Sequence, residues 1–458
     1  MNNFIKIKKF QKKKLNNILI PFLMFFLISG CSVIEKVKSD FEMNTNQTTA
    51  TIISESSVNT PQVSTEESKD TLPQSGLIIE TLEPTPAVYS IQLWVPPQFD
   101  VEKETPGGVV LSEIISDYTE QNPNINITTR VKSSTGESSM INTIIAADHV
   151  AQDTLPSLAI MSRNDMETAV QRGLIQPFST SIFSDNNTWY KYASQSAMID
   201  ETIYGIPILG DGLVLIYNSD KIESLPGEWQ GIMEKGFPIG FAPASSTSPF
   251  GTFVYLGLGG SLTNDLGQIN LDQQKLTDTL TFFYNGNQSG IFPASMTQNV
   301  DLSQVWQRYN DGTISAVIVP YSSYKEYAVL DSSIQRLPVQ PGIDEYPLVR
   351  TWNLVLLEKR EQNQAEVIKF AEYLADPAVN DKMSSAMGYF PVRNMDHDFG
   401  SDNPQYSVIE KICMNGKLLP GSNIMNKVVP VINNAINQVL KNQAAPEDAA
   451  NEAINSLN

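Results

Sequence analysis

The sequence predicts an α/β protein folded in two lobes, each a mostly parallel sheet flanked by helices. Two observations carry this. Strand-like and helix-like segments alternate from Tyr89 onward, the pattern of parallel strands joined by crossover helices. From Tyr89 to Asn458 the chain also runs for about 370 residues, too long for one small core, so two lobes follow from size.

Each element can be justified in order. "YSIQLWV" reads as a strand and "GGVVLSEIISDYTEQNP" as a helix. "NINITTRVK" is a second strand, and "SSMINTIIAADHV" a second helix with Met140, Ile144 and Ala147 on one face. "SLAIMS" is a buried strand leading into the helix "NDMETAVQRG". In such a sheet, ligands sit beyond the carboxyl ends of the strands.

The first ninety residues are of another kind. Six lysines fall between Lys6 and Lys14, followed by an apolar run from Ile18 to Ile28 broken only by Pro21. Eleven helical residues rise about 16 Å, roughly half of a bilayer's hydrocarbon core, so this is not a transmembrane span. Residues 1–30 therefore read as an export signal. Ile28-Ser29-Gly30-Cys31 resembles the bacterial lipobox, which implies a diacylglyceryl group on Cys31 as the mature N-terminus. Two acyl chains are what stable anchoring requires. With Cys31 lipidated, Cys413 is the one cysteine left and is expected to fill core volume. Residues 31–87 are rich in Ser, Thr, Asn, Gln and Glu with no sustained period. Such a segment cannot offset its ordering entropy by burial and reads as a disordered stalk, about 40 Å end to end.

The net charge of −19 falls to −25 once the six lysines of the signal are removed. A polyanion makes a poor partner for nucleic acid. Catalytic signatures are absent as well. Only His149 and His397 are present, neither in an HExxH, and there is no GxSxG and no Gly-Lys-Ser/Thr loop. No metal, cofactor or catalytic residue is expected. Paired carboxylates for glycoside hydrolysis have no fixed spacing, so a surface lipoprotein hydrolase stays open as the rival class.

"GLIQPF" (Gly173 to Phe178) and "YGIPILGDGLVLIYNSD" (Tyr204 to Asp220) resemble the extracellular solute-binding proteins of ABC importers. The nearest group is the sugar-binding class that includes maltose-binding protein. "LGGSLTNDLGQINLD", "WQRYNDGTISAVIVP", "LVLLEKREQNQAEVIKFAEYLADP", "GYFPVR" and "AAPEDAANEAINSLN" continue the likeness in the expected order. One departure is Pro156-Ser157, where the family commonly has Pro-Asp. The resemblance implies a periplasmic-binding-protein-like fold, with lobe one at 88–209 and 319–361 and lobe two at 210–318 and 362–458. It also implies capture of a small solute, most simply a mono- or oligosaccharide, by a monomer that delivers it to ABC permease subunits. A ligand sensor on the same fold is a further alternative, as is a different solute such as an oligopeptide, polyamine or metal chelate. Read from the residues, "LGDGLVLIYN" suits a hinge crossing: Gly210 and Gly212 permit close approach or unusual backbone angles, and two rigid lobes can close around it.

Sugar binding needs flat apolar faces and hydroxyl-matching polar groups. Placed against the family's cleft, the expected ligand-binding residues are Trp94, Ser162, Asp211, Ser245, Ser246, Tyr321, Arg350 and Trp352. Several have structural alternatives. Trp94 could be core, Arg350 could pair with an acid such as Glu345, and the serines of "FAPASSTSPFG" could simply cap a helix. Trp229 and Trp306 are expected to be packing residues, and Trp189 is open.

Overall fold

Tyr89–Val95 (β1) pairs in parallel with Ile125–Val131 (β2) on one side and with Leu158–Ser162 (β3) on the other. The three are linked by Pro106–Gln121 (α1) and Met140–Val150 (α2), and β3 runs directly into Arg163–Gln171 (α3). Each of these helices starts where its sequence allows. The hydroxyls of Thr105, Ser139 and Ser162 accept from the first-turn amides, and Pro106 occupies the first turn of α1, where a missing N–H costs nothing. The structure is a computed structural model that describes residues 89–183, 188–328, 330–394 and 404–457. Cys31, the stalk and His397 lie outside the described residues.

The chain continues through Lys191–Ala197 (α4) and the two short strands Met198–Ile199 (β4) and Thr202–Ile203 (β5). The 14-residue strand Gly205–Asn218 (β6) follows, then Trp229–Lys235 (α5), Ile239–Gly240 (β7), Phe250–Gly257 (α6) and Gln273–Gln288 (α7). Leu302–Asn310 (α8), Ala316–Pro320 (β8), Ser322–Tyr327 (α9), Ser332–Gln335 (β9) and Leu348–Leu356 (β10) lead back. The last elements are Glu361–Leu374 (α10), Pro377–Met387 (α11), Pro404–Asn415 (α12), Lys417–Leu418 (β11), Ser422–Leu440 (α13) and Pro446–Leu457 (α14). Among the described residues no helix is long and apolar enough to cross a membrane.

The main sheet runs β2-β1-β3-β10-β6-β8-β7. Its ends are parallel, as expected from the alternating pattern, but its centre is antiparallel. Residues 205–212 of β6 pair with β10, and residues 213–217 pair with β8. One strand thus belongs to two half-sheets and joins them. In the second half-sheet an aromatic nest forms the core. Trp229, Phe241, Phe250, Phe282, Phe283 and Phe292 lie with ring centroids 5.1–6.0 Å apart, mostly edge to face, the arrangement that aromatic quadrupoles favour.

Two segments have neighbours that bear on the expected lobe bounds. Ser332–Gln335, placed with lobe one, hydrogen-bonds to residues 215–218 of β6 and so joins the second half-sheet. Residues 361–387, placed almost wholly in lobe two, include α10, which packs against α1: Tyr118 of α1 meets Phe370 and Tyr373 of α10, each at 4.9 Å between centroids. A helix follows the strand face that its apolar side matches, and α10 follows β10 directly.

Candidate functional site

The junction in β6 is narrow because its glycines leave no room for anything larger. A Cβ on Gly210 would meet the Tyr192 hydroxyl at 2.7 Å, and one on Gly212 would meet the Leu348 carbonyl at 2.6 Å. Gly210 also exchanges both backbone hydrogen bonds with Phe390, at 2.8 and 2.7 Å. The close approach read from the sequence is therefore realised, by Tyr192 of α4 and the Phe390 backbone at Gly210 and by β10 at Gly212.

A cavity of about 300 Å³ opens beside this junction. Asp211, Gly212, Leu213, Leu348 and Arg350 contribute the strand wall. Ala242 and residues 245–249 contribute a loop, and Met425, Asn426 and Val429 of α13 close the opposite side. Asn164, Phe253, Leu302, Ile318, Pro320 and Leu419 complete it. The loop is fixed from behind. Asn433 Nδ2 donates to the carbonyls of Ser245 and Ser248, at 2.8 and 3.0 Å, and Asn437 Nδ2 donates to that of Pro243 at 2.8 Å. Ser245 Oγ accepts from the Thr247 amide at 3.3 Å and lies 3.1 Å from Thr247 Oγ1. Neither Ser245 nor Ser246 caps α6, whose N-cap is Pro249.

Asp211 is fully buried and saturated. Its Oδ1 accepts from the Ser322 amide at 3.1 Å. Its Oδ2 accepts from Ser322 Oγ at 2.8 Å, Arg350 Nε at 3.1 Å and Arg350 Nη2 at 2.6 Å. The carboxylate raises the pKa of the guanidinium above its ordinary value. Asp211 and Arg350 are the only charged side chains in the described wall, and they neutralise each other.

Four of the eight expected ligand residues reach this wall: Asp211, Ser245, Ser246 and Arg350. The other four do not. Trp94 is 1 % exposed, packed with Met140, Ile144 and Met161, and its ring carries Lys132 Nζ at 4.4 Å from the centroid. Its position on an inward-facing register of β1 makes it core. Ser162 is occupied as the cap of α3: its hydroxyl accepts from the Asp165 amide at 3.1 Å and donates to Asp165 Oδ2 at 3.0 Å. Tyr321 stacks on Phe390 at 5.4 Å, and burial pushes its hydroxyl up to about 12. Trp352 is half-buried and sits two residues along β10 from Arg350, on the same face. It lies opposite Ser162 and Leu209, and its indole N–H is buried with no partner among the described residues.

Arg350 pairs with Asp211 rather than with Glu345, which pairs with Arg336. Trp229 and Trp306 are buried, as expected of packing residues, with Trp306 Nε1 donating to Ser323 Oγ at 3.1 Å. Trp189 is buried beneath the Arg393 guanidinium, 3.6 Å above its ring. Cys413 is buried near the Tyr192 hydroxyl, and burial drives its thiol pKa up. The sequence reading missed Asn164, Met425, Asn426 and Asn433. Asn164 was findable, because it lies just past the carboxyl end of β3. The α13 residues carry no local signal: Met425 and Asn426 reach the cavity, and Asn433 the loop behind it, only because the helix packs its apolar face against α6 and α7.

A two-lobed α/β scaffold with a cavity at the lobe junction defines the solute-binding class. Residues 113–396 match the bacterial extracellular solute-binding protein family, and the chain belongs to that family. Among curated proteins it resembles the galactooligosaccharide-binding protein of Bacillus subtilis (strain 168). Identity is 25 % over 241 residues, covering 47 % of this chain and 56 % of that protein. The maltodextrin-binding protein MdxE of the same strain is 23 % identical over 224 residues, covering 44 % and 52 %. The matches thus span about half the length of these relatives. Among solved structures, a cyclo/maltodextrin-binding protein complexed with maltotetraose superposes with a TM-score of 0.66 at 16 % identity, covering 82 % of this chain and 98 % of that one. The maltose-binding protein MalE of Listeria monocytogenes gives 0.65 at 15 %, covering 81 % and 97 %. At these identities the likeness shows the two-lobed fold.

Proposed function

We propose that this protein captures a neutral, hydroxyl-rich solute, a mono- or oligosaccharide, in the cavity beside β6 and delivers it to an ABC permease. The observation that carries this is the wall itself. Its one acid and one base pair with each other, and the remaining polar groups are Asn164, residues 245–248 and Asn426. Neutral donors and acceptors of this kind match sugar hydroxyls, and Leu213, Phe253, Ile318 and Val429 supply apolar surface for ring faces. Both curated relatives are named for oligosaccharide binding, which supports the same ligand class. An acidic solute would need an unpaired cation in the wall, and a polyamine an unpaired carboxylate.

The lobes divide at residues 210–212, with α10 and α11 riding on the first lobe. Closure about this crossing traps the ligand. The protein works as a monomer held to the membrane through Cys31, so that captured solute stays beside the permease. A glycoside hydrolase would need two carboxylates facing each other across the site. Asp211 is the one carboxylate in the described wall and is already saturated, which favours capture over catalysis.

A thermal-shift screen of the full chain tests this reading. A saccharide at one hundred times its Kd stabilises by about 2.7 kcal/mol. Stabilisation by charged solutes alone, with none from neutral saccharides, would overturn it.

A further inference from the structure

Three crossing segments end on one carboxylate. Asp211 lies in β6 at the point where its pairing passes from β10 to β8. Ser322, the first residue of α9, follows β8 after only Tyr321 and gives Asp211 both its amide and its hydroxyl. Arg350 comes from β10, the first-lobe partner of β6, and gives two N–H groups to the same carboxylate. The acid is wholly buried, whereas the Arg350 side chain is 53 % exposed and lines the cavity. One end of this cluster therefore faces the cavity, and the other fastens the segment that follows β8.

The arrangement is also stiff. Asp211 is flanked by two glycines whose positions leave no space for side chains, and Gly210 is clamped by the backbone of Phe390. The Tyr321 ring lies on the Phe390 ring at 17° between planes. A shift of the guanidinium toward a ligand cannot be absorbed locally by loose neighbours. It must move the carboxylate, Ser322, or both.

We infer that Asp211 and Ser322 are positioning residues that couple solute contact at Arg350 to the angle between the lobes. The inference rests on the solute-trap reading only for the identity of what touches Arg350; the mechanical link belongs to the ligand-free protein. Asp211 holds the guanidinium in place for the solute. Ser322 relays its position to α9 and hence to the second half-sheet. With the carboxylate replaced by an amide, the charge is lost and one of the two oxygens becomes an NH2 that cannot accept, so either the Ser322 amide at Oδ1 or the Ser322 hydroxyl and Arg350 at Oδ2 lose their acceptor, and the three segments lose their common anchor.

Hydrogen exchange read by mass spectrometry on the full chain tests this. In ligand-free Asp211→Asn, peptides covering β6, the start of α9 and β10 should exchange roughly tenfold faster than in wild type, the equivalent of a lost charge-assisted hydrogen bond. Peptides from α7 and α14 should keep wild-type protection. Ser322→Ala, which leaves the Asp211–Arg350 pair intact, should loosen the start of α9, and Ser322→Thr should restore it. Those two variants carry the test if Asp211→Asn does not fold.

Maltotetraose and a galactooligosaccharide mixture are then added separately. In wild type, protection should spread from residues 242–249 to the start of α9, and in Asp211→Asn or Ser322→Ala that spread should be lost. Unchanged exchange at α9 in the ligand-free variants would overturn the coupling. So would uniform acceleration everywhere, which marks simple destabilisation. If neither saccharide protects wild type, the proposed ligand class fails, while the ligand-free comparison still decides the role of Asp211 and Ser322.

Discussion

Arg350 stands directly opposite Asp211 in the β6–β10 ladder, yet the two live in different solvents: the guanidinium side chain is 53 % exposed and the carboxylate 0 %. Such a pair should not break symmetrically. Arg350→Met strips a buried carboxylate of its counter-ion, which typically costs about 3–5 kcal/mol. Asp211→Asn leaves a guanidinium that can turn to water, so the loss should be nearer the ~1.5–3 kcal/mol of a charged hydrogen bond. Chemical denaturation of both variants at fixed salt checks the order. A larger loss for Asp211→Asn would contradict the burial asymmetry.

Asn433 is the second lever, because it holds the cavity loop by two backbone carbonyls 188 and 185 residues away in sequence. Asn433→Ala leaves both acceptors short of a donor and should cost about 1–3 kcal/mol. Saccharide affinity should fall further than stability alone predicts, since residues 245–248 lose their fixed backbone. Isothermal titration alongside denaturation separates the two effects. Wild-type affinity in the variant would show that the loop does not touch the solute.

Tyr321, stacked on Phe390, and Tyr389, the residue before Phe390, set a limit at high pH. Burial pushes both Tyr321 and Tyr389 up to about 12, from 10.0 in the unfolded chain. Between these values the unfolded state releases the proton and the folded state keeps it, so unfolding is increasingly favoured as pH rises. Stability from this source is complete below pH 10 and is lost from pH 10 to about 12. The slope is at most about 1.4 kcal/mol per pH unit for each tyrosine. Tyr321→Phe and Tyr389→Phe should each flatten that limb of the unfolding curve, and an unchanged slope in both would count against the assignment.

The legibility of this protein from sequence depends on how local each signal is. The alternation of strands and helices is local and could be read directly; the caps at Thr105, Ser139 and Ser162 are equally local but were not named, and Ser162 was expected at the ligand instead. The close approach at Gly210 and Gly212 was also legible, because glycines in an otherwise apolar strand mark such positions. Side-chain roles at the site were less so. Asp211 and Arg350 were singled out separately, but nothing in the sequence says that residues 139 apart stand opposite each other. Trp94 illustrates the converse. A tryptophan at the end of a strand can face a cleft or a core, and only the packing of Met140 and Ile144 from α2 decides for the core.

The lipid anchor proposed at Cys31 rests on Ile28-Ser29-Gly30-Cys31 behind a short apolar run. Cys31→Ser should leave an unlipidated precursor that is not processed at that residue. Labelled fatty acid still incorporated into the variant would refute the assignment. Ligand affinity should not change, since Cys31 lies far outside the described fold in sequence.

Trp352 and Trp94 together test how the cavity extends along β10. Trp352 shares a face with Leu348 and Arg350, both of which line the cavity, and it is only half-buried. Its indole N–H is buried without a partner among the described residues, a state that usually costs free energy unless a ligand or water relieves it. Trp352→Ala should therefore weaken saccharide binding by about one to two decades in Kd, the worth of a lost aromatic contact of roughly 1–3 kcal/mol. Stability of the ligand-free protein should change little. Trp352→Phe keeps the ring and drops the N–H, so a smaller loss of affinity would separate stacking from hydrogen bonding. Trp94→Ala is the control: from a site 1 % exposed, truncation should cost about 3–5 kcal/mol of stability and leave affinity per folded molecule as it was. If the two tryptophans exchange these behaviours, the cavity reaches the solute through β1 instead of β10, and the face of Leu348, Arg350 and Trp352 is structural.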